Sequence, residues 1–557
     1  MIRRTVLARA VALIFAAYQS AVPPDRPRGR GRPLVRLRRA VGFVGLCIGL
    51  AIPAGAAIAA EPGAPALYAR DCAACHGAER LGGTGPALIP ETLGRMRGPK
   101  VAEVIARGRP ATQMPGFAGK LSADQIAALA AYVKTPLTNV PDWGAVEIMA
   151  TRRMNPDYTP APAPVFAADP LNITLVVETG DHHVSVLDGD TFQVLDRFPT
   201  PFAVHGGPKF SPDGRYVFIM SRDGWVQKYD IWSLSEVGRV RAGLNSRNIA
   251  ISHDGKWLAV ANYLPMTLTI LDTSELSVKK IIPVAGKDGT PSRVSAVYQA
   301  PPRKSFILAL KDVPEIWEVA TDPEAGPVFE GFVHSYEKGM KEALPSSEGL
   351  FARRRIMLSE PLDDFFFTDD YRDLMGAARS SGRGVVVNLN VGREIATLPL
   401  PGMPHLGAGT TWNRGGRRVV AIPHLKEGRI SVIDTGTWQL VKTIRTAGPG
   451  FFIRSHENSR YVWAGVFFGP HRDEMNVIDK QSLEIVRTLR PVPGATVAHT
   501  EFTRDGKYAL VSVWEDDGAV IVYDAETLQE VKRLPMRKPS GKYNVFNKIT
   551  FSEGTSH

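Results

Sequence analysis

From about residue 165 to the C-terminus the chain alternates short apolar strands with polar turns, and the unit repeats. Each unit holds a strand ending on an acidic or amide residue: Leu187-Asp188, Tyr229-Asp230, Leu271-Asp272, Trp317-Glu318, Val387-Asn388, Ile433-Asp434, Ile478-Asp479 and Tyr523-Asp524. The spacings are 42, 42, 46, 70, 46, 45 and 45 residues. Units of this length with four short strands are propeller blades, so eight markers predict eight blades over 166–557. The long interval predicts an insertion around 322 to 380, and the segments 211 to 216, 252 to 257 and 503 to 508 predict turns between first and second strands. Ahead of the repeats the period changes. Pro99 to Gly108 and Ser122 to Lys134 read as helices, the second with Ser122 as N-cap before Ile126, Leu129 and Tyr132. Prolines at 136, 141, 156, 160, 162 and 164 predict a partly extended linker over 139–165. The fold class expected is a small all-α domain, 60–138, followed by an all-β eight-bladed propeller.

The net charge of +11 in 557 residues suggests nucleic acid or a membrane surface until it is located. Residues 1 to 60 contain ten arginines and one acid, and the remainder is close to neutral, so nucleic acid is not an expected partner. Arg32 to Arg39, the apolar run Ala40 to Ile52 and the small residues to Ala59 have the order of a secretory signal peptide, which predicts a periplasmic protein with no transmembrane anchor after cleavage. Within 1–59, the first 30 or so residues read as an extension from a start codon placed upstream of the true one. Cys47 leaves with the leader, so Cys72 and Cys75 remain without a disulfide framework.

Cys72-Ala73-Ala74-Cys75-His76 is the C-x-x-C-H sequence of covalent haem c attachment. Two thioethers hold the macrocycle, His76 reaches the iron, and Met114 in Thr112-Gln113-Met114-Pro115-Gly116 offers the opposite ligand. The domain looks like a compact class I cytochrome c.

Blade phase locates a second group of residues. The segment about 17 to 22 residues after a marker leads into the next inner strand and lines one channel mouth; His205, Arg247, Arg293, His405, Arg454 and His499 all occupy it. Imidazoles with guanidiniums suit an iron macrocycle bearing carboxylates. Phe202, Tyr263, Phe451, Phe452 and Trp412 are candidates for its apolar walls. His182 and His183 read as exposed strand residues, Lys209 and Lys311 as surface cations able to meet carboxylates, and Asp363 and Asp364 as a loop turn.

An exported cytochrome c joined to such a propeller resembles the cytochrome cd1 group, whose propeller holds haem d1. The resemblance rests on Phe202-Ala203-Val204-His205, Ser221-Arg222-Asp223-Gly224, Ser246-Arg247-Asn248, Asn262-Tyr263-Leu264-Pro265 and Gly541-Lys542-Tyr543-Asn544-Val545. It implies His205 as proximal ligand, with Arg222, Arg247 and Tyr263 holding the macrocycle. Met403-Pro404-His405 matches one distal histidine of the group's nitrite reductases, but Leu362-Asp363-Asp364-Phe365 lacks the second, and His499 stands where they have glutamine. These departures, with Gly180 to Ser185 and Gly206 to Gly214, resemble the haem d1-biosynthetic branch, which converts a propionate to an acrylate. The resemblance implies that the tetrapyrrole is the substrate, dihydro-haem d1, and that two electrons leave through haem c to an external acceptor such as a small periplasmic c-type cytochrome. On this reading His405 is the base, His205 and His499 are axial ligands, and Arg222, Arg247, Arg293 and Arg454 neutralise carboxylates. The rival readings are an NO-forming nitrite reductase and a non-catalytic haem d1 carrier. Further implied partners are the nitrite reductase and other haem d1 maturation proteins.

Overall fold

The computed structural model describes residues 62–551, apart from 84, 95, 110–113, 140, 330–345 and 379. The leader and Thr112-Gln113 lie outside the described residues. Eight sheets of four principal strands form the propeller, and neighbouring strands are antiparallel. The ring closes through the C-terminus: Pro539–Asn544 is the inner strand of blade one, whose other strands are Ile173–Glu178, His183–Asp188 and Val194–Pro199. Blades two to eight follow in chain order. Their inner strands are Lys209–Phe210, Asn245–Ile251, Val294–Ala300, Phe365–Phe367, Thr410–Arg414, Gly450–Ser455 and Val497–Phe502.

The repeating marker has a local cause. Its side-chain oxygen accepts the backbone N–H two residues on, closing the turn between third and outer strands: Asp190 on Asp188 (2.9 Å), Trp232 on Asp230 (3.0 Å), Gly436 on Asp434 (2.9 Å) and Gln481 on Asp479 (3.0 Å). Four residues after the marker the chain turns left-handed, at Phe192, Leu234, Leu276, Trp438, Leu483 and Leu528, with Gly392 in blade five. Burial of Leu276 and Leu483 offsets the strain of that conformation. Blade four lacks the device. There Glu318 pairs with Arg303 and Arg354, and the insertion begins after the third strand. It spans 321–352, shorter than the expected 322 to 380, because Arg353–Met357 is already the outer strand of blade four.

Asp230 is fully buried and accepts from Arg215, Tyr158 (2.8 Å) and Ser233 (2.7 Å). Burial raises its pKa, but the hydrogen bonds from Arg215, Ser233 and Tyr158 outweigh this and hold the carboxyl below its ordinary 3.8. A folded value below the unfolded one contributes stability above about pH 4 that is lost as pH falls through the folded value. We expect Asp230→Asn to destabilise the propeller by about 3 kcal/mol at pH 7, since it uncouples a buried charge pair. Urea denaturation should show the gap narrowing below pH 4.

In the N-terminal domain, helix Ala123–Tyr132 starts from a capping box in which Ser122 and Gln125 bond reciprocally, and it packs Ile126 and Leu129 against Gly98–Arg107. The expected linker is more ordered than its prolines suggest. Between Pro141 and Pro156, Ala145–Thr151 is helical with Ile148 buried, and Arg153–Met154 adds a fifth strand to blade two. No helix among the described residues is long and apolar enough to cross a membrane.

Candidate functional site

The cytochrome residues fit haem c. Cys72 is the N-cap of helix Ala73–His76 and Cys75 lies within it, both as free thiols; burial, with Asp71 and Cys75 adding, pushes Cys72 up to about 11. His76 is buried, which lowers its pKa and favours the neutral, ligating form. Its Nδ1 lies 2.8 Å from Pro86 O, so an Nδ1–H donated there leaves the Nε2 lone pair for iron. Gly85 abuts the ring: a Cβ there would lie 2.7 Å from His76 Cε1. Met114 packs in the same apolar cluster as Cys72 and Ala73.

This domain sits on the channel mouth where the inner strands begin. Leu81, Ala87 and Ile89 pack with Leu244 and Leu264, and Arg241 donates to Leu81 O while stacking on Trp143. Arg109, whose N–H bonds Met114 O, lies over the Phe202 ring at 5.2 Å. His182 packs on the other side of this contact, 5.3 Å from Phe202. It sits in a left-handed turn, and burial first, then Arg109, lowers its pKa to about 4. The expectation of exposed strand residues fails for His182, because the cytochrome domain covers it; His183 does begin a strand, but it is half-buried beside Asp181.

Beneath this mouth two loops are built alike. Ala203 and Met403 are left-handed, and Val204 and Pro404 bridge Ser221 and His424. His205 and His405 then donate their N–H groups to Met220 O and Pro423 O, both at 3.0 Å. Each ring also places Nδ1 2.7 Å from a carbonyl of the following blade's inner strand, Arg247 O for His205 and Phe451 O for His405. Both therefore share the tautomer of His76, with the Nε2 lone pair directed away from the backbone. His205 leads into blade two and His405 into blade six, four of eight blades apart and so on opposite sides of the channel.

Contacts close a ring through both histidines. Arg247 Nη1 donates to His205 Nε2 (2.8 Å) and Arg247 Nε to Ser295 O (3.1 Å). Asp364, in the field of Arg247, accepts from Tyr298 Oη (3.0 Å) and Gly407 N–H (2.7 Å), and its Oδ2 is 3.8 Å from His405 Nε2. His405 packs on Phe451 (4.5 Å), Phe451 on Phe452 (4.5 Å), Phe452 on His499 (5.1 Å) and His499 on Tyr543 (5.6 Å). Gly207 completes the circuit, since a Cβ there would lie 2.9 Å from Tyr543 Cε1. His499 differs from the other two histidines. Its Nδ1 faces the Lys542 backbone N–H at 3.3 Å, an arrangement that puts the ring proton on Nε2.

Arg222 and Arg293 lie over Tyr263, both at 5.4 Å. Arg293 also grips Asp312, and Lys311 pairs with Asp363 at 2.5 Å. Two expected members sit elsewhere. Arg454 is the fifth residue of its inner strand and lies deeper, within the field of Tyr543 and Lys209. Trp412 is a core residue donating to Lys480 O, not a channel wall. Asp364 is a buried acceptor rather than a solvated turn. Tyr298 and Lys542 were not legible from blade phase. Tyr298 lies on the inner strand that Arg293 immediately precedes, five residues on, a spacing that could have flagged it, and Lys542 falls within the Gly541 to Val545 segment.

Fold and site together define a c-type cytochrome joined to a propeller that binds an iron tetrapyrrole. The chain belongs to the cytochrome D1 haem domain family, whose model matches residues 168–326 and 346–548; residues 59–133 match the model for cytochrome c oxidase, cbb3-type, subunit III. It is 52 % identical over 517 residues to the dihydro-haem d1 dehydrogenase of Pseudomonas aeruginosa, spanning 92 % of this chain and 100 % of that protein. The nitrite reductase of Stutzerimonas stutzeri is 24 % identical, with 93 % and 98 % covered. A solved structure of dihydro-haem d1 dehydrogenase NirN in complex with DHE superposes with a TM-score of 0.80 at 52 % identity, covering 87 % of this chain and 99 % of that one.

Proposed function

We propose that this protein is a dihydro-haem d1 dehydrogenase, oxidising a propionate side chain of its tetrapyrrole substrate to an acrylate, with loss of two electrons and two protons. The relative that matches it from end to end supports the activity. The observation that carries the site is the pair of matched loops presenting His205 and His405 from opposite blades. Haem c, held by Cys72, Cys75 and His76 with Met114 opposite, supplies one-electron acceptance when bound. The apolar-then-small pattern of the leader supports export to the periplasm, where a small c-type cytochrome is a suitable acceptor, and the likeness to nitrite reductase supports exchange of haem d1 with that enzyme.

The sequence-based division of roles makes His405 the base and His499 an axial ligand. Asp364, 3.8 Å from His405 Nε2, supports it by stabilising an imidazolium. A second reading is favoured by the tautomers. His205 and His405 share the ligating form and come from opposite blades, whereas His499, a quarter turn away in blade eight, carries its proton on Nε2 and packs beside Tyr543. On that reading His205 and His405 are the axial pair, and His499 with Tyr543 handles the protons. Absorption spectra of the dihydro-haem d1 complex decide. If His405→Ala loses the bis-imidazole low-spin signature and His499→Gln keeps it while conversion falls about 100-fold or more, the second division holds; the converse pattern restores the first.

A further inference from the structure

We propose that Lys209, with Arg454 and Lys548, forms a carboxylate-binding station at the far mouth of the channel. It grips the side chains on the lower edge of the tetrapyrrole and makes Lys209 a specificity-determining residue. The inference rests on the reading above and adds how the substrate stands.

On the second division of roles the imidazoles of His205 and His405 would approach the iron from blades two and six, so the iron–nitrogen direction would cross the channel. A tetrapyrrole ring is perpendicular to that direction. Its plane would therefore contain the propeller axis, with one edge towards the cytochrome domain and the opposite edge down the channel. Three cations gather at that lower end. Lys209 comes from blade two and Arg454 from blade seven, and Lys548 lies on the C-terminal helix Val545–Thr550. Glu501 is the carboxylate among them, 3.4 Å from Lys548 Nζ. With Lys209 protonated, Lys209, Arg454 and Lys548 against Glu501 give a net charge of +2.

The helix closes this mouth, because Asn547 donates to Glu501 Oε1 (3.1 Å) and Phe502 O (3.0 Å) of blade eight. Between it and blades two to five lies a cavity of about 390 Å³, lined by Lys209, Lys548, His253, Tyr298, Phe210 and Ile251 among others. A carboxylate entering this space loses water and needs a cation in exchange. Two cations at the upper mouth are already engaged, Arg293 by Asp312 and Lys311 by Asp363. Lys209 hydrogen-bonds the Gly206 carbonyl at 3.2 Å and faces Lys548 and Arg454. Burial, then those two cations, lowers its pKa to about 7, so near neutral pH the ammonium has partly lost its proton. Tyr298, Tyr371, Tyr543 and His253 are the other titratable groups facing this region; burial raises the three phenols, and none of the four supplies a negative charge at that pH. An incoming carboxylate restores the proton to Lys209.

The test is an anaerobic absorption titration of the full-length holoprotein with dihydro-haem d1 and, separately, its methyl ester, with a pH-indicator dye present at pH 7.5. The wild type is expected to prefer the free acid by about 30-fold or more and to take up a fraction of a proton on binding it. Lys209→Met should cut the preference to about threefold and abolish the uptake while leaving the low-spin signature unchanged; Lys209→Arg should keep the preference but not the uptake. If Lys209→Met and Arg454→Met both discriminate as well as wild type with that signature intact, the lower station is wrong and the axial reading stands. If the wild-type complex shows no imidazole-ligated signature, or His205→Ala leaves that signature unchanged, the axial reading falls and the inference with it.

Discussion

Replacing Cys72 and Cys75 together by serine is expected to end multiple turnover, lowering the steady-state rate by about a thousandfold, since electron removal is then limited by an unassisted encounter with the external oxidant. The physical reason is division of labour. Serine cannot form the thioethers, and His76, even with Nδ1 fixed on Pro86 O, is left to hold the macrocycle without a covalent tether. The propeller sheets carry their own cores, such as the cluster shared by blades three and four around Leu268, Phe306, Leu308 and Trp317. Titration with dihydro-haem d1 should accordingly give an affinity within about twofold of wild type, given independent sites. A strong one-electron oxidant added in excess should recover a single round of conversion. Undiminished steady-state turnover in a variant shown by pyridine haemochrome assay to lack haem c would remove the cytochrome domain from the reaction.

Removing Arg247 should have the second large effect, on binding. Its guanidinium donates to His205 Nε2, the atom expected to meet the iron, so an arriving macrocycle must displace it. It is deeply enclosed. Burial opposes its charge, yet Tyr263, Asp364, Tyr298 and Asp363 together raise its pKa, so it stays a cation in search of an anion. A ring carboxylate is the natural replacement for the contact it gives up. Arg247→Leu should weaken binding of dihydro-haem d1 by about 2–4 kcal/mol, roughly 30- to 1,000-fold. Arg247→Lys should recover only part of this, because an ammonium lacks the two-pronged geometry. The measurement is an equilibrium titration, with the methyl ester as control: the loss should shrink when the carboxylates are masked. An Arg247→Leu variant that binds more tightly would mean that the guanidinium acts only as a competitor for His205.

What the sequence by itself determined is what short-range chemistry controls. A carboxylate that accepts N–H groups two and three residues on writes the marker Asp434, Asp479 or Asp524 into the chain wherever a third strand ends, so blade number could be counted. The C-x-x-C-H sequence and the Ser122–Gln125 capping box are local in the same sense. Blade phase also brought His205, His405 and His499 to one channel, because residues at one distance from a marker share one end of their blades. Tertiary structure decided the rest. Ala145–Thr151 is helical because Ile148 finds a buried seat between blades two and three, which no proline count can register. Arg454 lies deep because one step along an inner strand changes both height and face. Which nitrogen of each histidine carries the proton depends on a carbonyl or an N–H from a strand some forty residues away, Arg247 for His205, Phe451 for His405 and Lys542 for His499. Those partners come into place only when neighbouring blades pack side by side, and for His499 only when the last strand has closed the ring.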